Sequence, residues 1–228
     1  MLHRISHRLL RHRRARPWQP ALLAALLTGC SMLAPVPDGI HHYYTLTAAS
    51  TPVSAPARGA LTLAIAMPTA RPGFDRPRMA YSLRHGELAF FSHSRWIDTP
   101  ARMLAPLLVR ALSHGGDFRA VVATPGAARA DFRLDTDIHR LVQDFTTRPS
   151  QMRIDLRVQL TNVASGEIVA THVFAASEPT PEATPYGGVR AADRALQRLL
   201  PRIAAFCAIA AHSQRAAKPI NARASPPL

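Results

Sequence analysis

Two neighbouring stretches of this chain alternate strictly between apolar and polar residues, and that alternation constrains the fold more than any other feature. Phe132, Leu134, Thr136 and Ile138 interleave with Arg133, Asp135, Asp137 and His139. Further on, Ile154, Leu156, Val158 and Leu160 interleave with Arg153, Asp155, Arg157 and Gln159. A period of two belongs to a strand, with one dry and one wet face, and not to a helix. A sheet with a wet face is characteristically antiparallel, because parallel strands covered on both sides read as continuous apolar runs. Residues 131–145 and 152–163 are therefore expected as long strands. Ser165-Gly166 turns the chain, and 167–176 returns as a third strand to complete a meander.

The dry face needs a cover, and two segments have helical spacing. Thr99-Pro100 opens the first, with Thr99 as N-cap, Pro100 in the first turn and Asp98 near the positive end of the helix dipole. Met103, Leu104, Leu107, Leu108, Ala111 and Leu112 then form an apolar stripe, and Gly115-Gly116 ends it. Pro106 falls inside the stripe, where it bends the helix or delays its start. The second helix is expected over Val189–Ala211, with Ala192, Ala195, Leu196, Leu199, Ile203 and Phe206 on one side and Pro201 as a candidate kink. Shorter strands are expected at 42–46, 61–67 and 118–123. A hairpin of 79–83 and 87–92 turns around Arg84-His85-Gly86. Residues 48–59, 68–77 and 178–188 read as loops from their Pro, Gly, Ser and Thr content. The pattern specifies an α+β fold: a mixed, largely antiparallel sheet with two main helices packed on one face.

The first thirty residues have a different logic. Arg4, Arg8, Arg11, Arg13, Arg14 and Arg16 precede an apolar run from Ala21 to Leu27, followed by small residues. That is the order of a secretory signal, and the run is too short to span a bilayer, which needs about 20 residues. Leu27-Thr28-Gly29-Cys30 resembles the lipobox of bacterial lipoproteins. The resemblance implies cleavage between Gly29 and Cys30, diacylglyceryl on the Cys30 thiol and an acyl chain on the new amino terminus. No other cofactor is expected. Ser31, where an Asp would resemble an inner-membrane retention signal, favours the outer membrane.

This organisation also explains the net charge of +14. The signal segment contributes six arginines and no acid, which leaves +8. The tail after Cys207 contributes Arg215, Lys218 and Arg223, which leaves +5 for the body. A mildly basic body without a basic face interleaved with aromatics argues against nucleic acid as a partner and fits anionic lipid headgroups better. The expected domains are a signal peptide at 1–29, an anchor linker with a short strand at 30–60, a periplasmic domain at 61–207 and a disordered tail at 208–228.

Candidate chemistry is sparse. With Cys30 lipidated, Cys207 has no partner in its own chain, and its apolar helical position marks it as a buried small hydrophobe. His41-His42 lies in the linker without further ligands at zinc-like spacing. His85, Glu87 and His93 flank the hairpin, with no matched nucleophile or oxyanion donor. Arg190, Arg194, Arg198 and Arg202 recur every four residues as a solvated helix face. Phe90 and Phe91 must point to opposite sides of their strand. One is expected in the core; the other, with Trp96, forms a candidate exposed patch for a partner or acyl chain.

The order of these features resembles the ABC-type transport auxiliary lipoprotein family, the PqiC-like lipoproteins. It is carried by the lipobox at 27–30, Tyr43-Tyr44-x-Leu46, the strand at 61–67 and Arg78-Met79-Ala80-Tyr81. Leu88-Ala89-Phe90-Phe91 with Trp96, the helix after Pro100, Asp131-Phe132-x-Leu134, Ser165-Gly166-Glu167 and the closing helix complete it. The chain departs from the family in having Phe90-Phe91 where a tyrosine pair is usual, and in Pro201. The resemblance implies a non-enzymatic lipoprotein on the periplasmic face of the outer membrane. It would be accessory to an MCE-domain protein that carries lipid between membranes, and possible as a homo-oligomeric ring. A general envelope-integrity lipoprotein that binds another periplasmic protein, and a periplasmic hydrolase, are the alternative readings.

Overall fold

The computed structural model describes residues 39–48, 59–125 and 129–216. The signal segment, Gly29 and Cys30 lie outside them, as do 49–58 and the tail from 217.

Among the described residues, nine strands and two helices follow in the order β1 (His42–Tyr44), β2 (Thr62–Ile65), β3 (Thr69–Ala70), β4 (Arg78–Ser82), β5 (Ala89–Trp96), α1 (Pro100–His114), β6 (Ala120–Ala123), β7 (Phe132–Asp144), β8 (Gln151–Asn162), β9 (Ile168–Pro179) and α2 (Pro185–Ala216). The sheet is built around β7. Along one side β7 pairs antiparallel with β8 over its whole length, and β8 pairs antiparallel with β9. This is the expected meander. Along its other side β7 is shared by three short parallel partners: β2 at Phe132–Leu134, β3 at Asp137–Ile138 and β4 at Val142–Asp144. β2 continues to β6, and β4 continues through β5 to β1.

The alternation sorts the two faces as expected. Leu134, Val158 and Leu160 are fully buried, and Ile138, Ile154 and Leu156 nearly so. Each such side chain stabilises the fold by roughly 2 kcal/mol relative to exposure. His139 is the extra residue of a β-bulge, since Ile138 pairs with Leu156 and Arg140 with Asp155. The bulge resets the phase, so Leu141 and Gln143 point inward after it. The sequence carries that signal in the three-residue step from Ile138 to Leu141.

Both helices cover the inner face. α1 starts as expected: the Thr99 side chain accepts a hydrogen bond from the Arg102 N–H at 3.4 Å, and Pro106 lies within an unbroken helix. α2 departs from expectation at both ends. It begins at Pro185, four residues before Val189, because Thr184 is an N-cap whose hydroxyl accepts from Gly187 N–H at 3.0 Å. The two glycines there are packing residues of the helix and not loop residues. A Cβ on Gly187 would stand 2.1 Å from the Glu182 carbonyl oxygen, and one on Gly188 2.5 Å from Gln143 Oε1. At the other end α2 continues past Cys207 to Ala216, so the boundary expected at 207/208 falls inside a helix. Ala208 and Ala211 are buried and extend its dry stripe beyond the cysteine.

Candidate functional site

The three aromatic residues singled out above separate in the structure. Trp96 is 2% exposed and belongs to the core with Met79 and Met103, so it is no part of an exposed patch. The reason is register: Trp96 pairs with Tyr44 and shares the helix-covered side of the sheet with it. Phe91 is also turned inward, 4.6 Å from the Tyr81 ring and 6.4 Å from that of Phe145. Phe90 faces the opposite way, as the strand geometry requires. The Arg78 guanidinium lies 3.8 Å above its ring centroid, within cation–π range.

Phe90 thus opens onto the outer face of β1, β4 and β5. Tyr43 pairs with Arg95, and Arg95 with Arg78, so the three share one side. His41 and His93 lie near them, their rings 5.7 Å apart, and Ile97 follows Arg95 by one alternation. Tyr43 is 58% exposed and Ile97 63%, while Ile40 just upstream is almost bare. No Asp or Glu occurs anywhere in β1, β4 or β5. Neither Arg78 nor Arg95 is ion-paired with a described residue. Asp98, next along the chain, is turned away to the Thr99 N–H at 2.7 Å and to Arg102 at 3.7 Å.

The position of β1 is fixed from the far side of the molecule. Asp193 of α2 accepts hydrogen bonds from the Thr47 N–H at 2.9 Å, the Thr47 hydroxyl at 2.6 Å and the Ala48 N–H at 3.2 Å. The chain just after β1 is therefore clamped to α2, with Ala48 at a positive φ of 34°. Sequence reasoning did not find this clamp, because the partners are 145 residues or more apart. Glu178 was missed for the same reason. It is buried on the helix side of β9, where Arg198 bonds it directly and Arg194 stands 3.8 Å away. The arginine stripe of α2 is thus partly a structural seam, with Arg194 also donating to the Pro179 carbonyl at 2.7 Å.

Elsewhere several titratable groups pair with one another. Near the β4–β5 turn, Arg153 pairs with Asp144 at 2.8 Å and Arg140 with Asp155 at 3.3 Å. Burial raises the Asp144 pKa. The hydrogen bonds from Thr146 and the charges of Arg153 and His85 more than offset this, and hold the carboxyl below its usual range. His85, Glu87 and Asp144 line one cleft of about 230 Å³ with Arg140 and Arg153. A second cleft of about 320 Å³ lies between α1 and α2, walled by Ala111, Leu200, Pro201 and Ala204. Cys207 is fully buried, and burial pushes its thiol up to about 12. Among the described residues, no three His, Cys, Asp or Glu side chains are grouped to hold a metal, and no helix is long and apolar enough to cross a membrane.

Two helices cover one side of the sheet, and Tyr43, Arg78 and Ile97 lie exposed on part of the other. The family described as the ABC-type transport auxiliary lipoprotein component matches residues 44–204, and the chain belongs to that family. No curated protein matches it. Among solved structures, a Xanthomonas campestris protein is similar at 24% identity and a TM-score of 0.69, covering 76% of this chain and 98% of its own. An uncharacterized protein is similar at 12% identity and a TM-score of 0.59, covering 73% and 98%. Both likenesses concern the fold. The PelC dodecamer from Paraburkholderia phytofirmans matches at 15% identity over 67% and 95%, with a TM-score of 0.38, too slight a likeness to bear on assembly.

Proposed function

We propose that this lipoprotein is a non-enzymatic accessory subunit of an MCE-type lipid transport system, held by lipid on Cys30 to the periplasmic face of the outer membrane. The observation that carries the reading is the match of residues 44–204 to a transport auxiliary lipoprotein family. The lipobox at 27–30 supports the anchor, and Ser31 supports the outer membrane. In this reading the protein performs no bond-making step. It holds the end of a lipid conduit at the membrane, alone or as a ring of identical subunits. Ion pairing within the meander leaves most of its charges committed to structure, which suits a scaffold better than a catalyst.

Affinity capture of the native lipidated protein, followed by mass spectrometry, tests the reading. The expected result is co-purification of an MCE-domain protein from the outer-membrane fraction, and diacylglyceryl on a mature chain that begins at Cys30. An unmodified chain that still begins at Met1, or stoichiometric recovery of another envelope protein without any MCE component, overturns it. The second outcome would favour a general envelope-integrity role.

A further inference from the structure

The outer face of β1, β4 and β5 is chemically unlike the rest of the sheet. Arg78 and Arg95 stand side by side on paired strands, unmatched by any carboxylate of those strands. Two like charges in register repel each other, so the arrangement costs stability unless something anionic covers it. Around them are Tyr43, Ile97 and Ile40, all well exposed, and Phe90 beneath Arg78. Cations over an aliphatic and aromatic ground are what an interfacial surface needs: the rings and alkyl groups enter the headgroup layer and the guanidinium groups meet lipid phosphates.

The placement along the chain supplies a second argument. β1 is the first described strand after the lipobox, and Ile40 follows Cys30 by ten residues. Such a tether reaches at most about 35 Å fully extended. If Cys30 is embedded in a bilayer, the edge that begins at Ile40 stays near the headgroups at high local concentration, so even weak attraction counts. The Asp193 clamp on Thr47 and Ala48 keeps that edge part of the rigid body.

We infer that the face formed by Tyr43, Arg78, Phe90, Arg95 and Ile97 docks on the anionic phospholipid surface of the membrane to which the lipid anchor attaches the chain. The inference rests on the anchored-lipoprotein reading above and adds an orientation to it: the hairpin end faces the bilayer, and the β9 edge faces away.

The cysteine arithmetic makes this measurable. Cys207 is buried and its thiol resists ionisation, and Cys30 would be lipidated, so an added surface cysteine is the single reactive one. Tyr43→Cys and, on the opposite edge, Thr171→Cys each receive an environment-sensitive dye. The lipidated protein is then placed in vesicles of neutral phosphatidylcholine, or of phosphatidylcholine with phosphatidylglycerol. The expected result is a shift of the position-43 dye to shorter wavelength only with phosphatidylglycerol, and no shift at position 171. The shift should vanish at about 0.5 M salt, where screening is severe. Adding Arg78→Gln and Arg95→Gln should weaken docking roughly 25-fold, at about fivefold per arginine near an anionic surface. Protein that floats with the vesicles while the position-43 dye reports water in both lipids overturns the inference and leaves the anchor standing. A shift that comes only when a partner protein is added assigns the face to that partner and equally overturns it. Protein that fails to float lacks the anchor, and both readings fall together.

Discussion

The two halves of the outer sheet surface solve the same problem in opposite ways. On the meander most charges of β7 and β8 are matched, while Arg157 bonds only to Gln159. Arg133 lies 2.7 Å from Asp135, His139 2.9 Å from Asp137, Arg140 3.3 Å from Asp155 and Arg153 2.8 Å from Asp144. On β4 and β5 neither Arg78 nor Arg95 is ion-paired with a described residue, and Tyr43, Phe90 and Ile97 share their side. A self-neutralised lattice needs only water over it. An unmatched basic and aromatic face is costly in water and useful against an anion-bearing layer. The contrast teaches that a single wet face of one sheet can be part structural surface and part contact surface, with the boundary set by where the acids stop.

Five measurements would break or sharpen that contrast. The largest effect is expected beneath the bare half. Trp96→Ala should destabilise the fold by about 3–5 kcal/mol, because it empties a core site. Chemical denaturation would read this, and a loss below about 1 kcal/mol would mean that the hairpin end is not packed as described. The next concerns the matched half. Asp144→Asn should cost roughly 1–2 kcal/mol, since it removes the largely buried carboxylate of an ion pair and leaves Arg153 without its counter-ion.

The same residue has a pH signature. Its folded pKa is below the ordinary value of 3.8. Its contribution is therefore complete above that value and lost as pH falls through the lower folded one. Melting temperature followed below pH 4 should fall less steeply in Asp144→Asn than in the parent, and equal slopes would contradict the assignment. Arg95→Gln should change stability by no more than about 0.5 kcal/mol, because the side chain has no ion-pair partner among the described residues. A large loss would show that the bare half is structural after all. The smallest effect is at Cys207: thiol reagents at pH 8 should leave the folded protein unlabelled, and rapid labelling would mean that the inner stripe of α2 opens to solvent.

The candidate surface was only partly legible in the chain. The opposed directions of Phe90 and Phe91 follow from strand geometry, and the structure keeps them. Trp96 was misplaced because its side depends on an irregularity in the β4–β5 ladder between the Arg78–Arg95 and Ala80–Phe90 pairs, which the local sequence does not announce. Arg78 and Arg95 are seventeen residues apart, and neither stands out until register puts them together. The early start of α2 could have been read, because Thr184-Pro185 repeats the Thr99-Pro100 signal. The prolines of 178–188 argued for a loop there, whereas Gly187 and Gly188 pack closely against Glu182 and Gln143 inside the helix.

By itself the sequence determined whatever depends on local periodicity and capping. The three long strands of the meander, the Thr99 cap, the burial of Cys207 and the α+β class all follow from side-chain alternation and hydrophobic stripes, which act over a few residues. Only the tertiary structure decided which strands share β7 along its second side, that Asp193 clamps Thr47, that Glu178 is buried between arginines, and that Tyr43, Arg78, Phe90 and Arg95 share the outer side of β1, β4 and β5. Those depend on pairings between distant segments, and a pairing register is a property of the assembled sheet that no short stretch of the chain encodes.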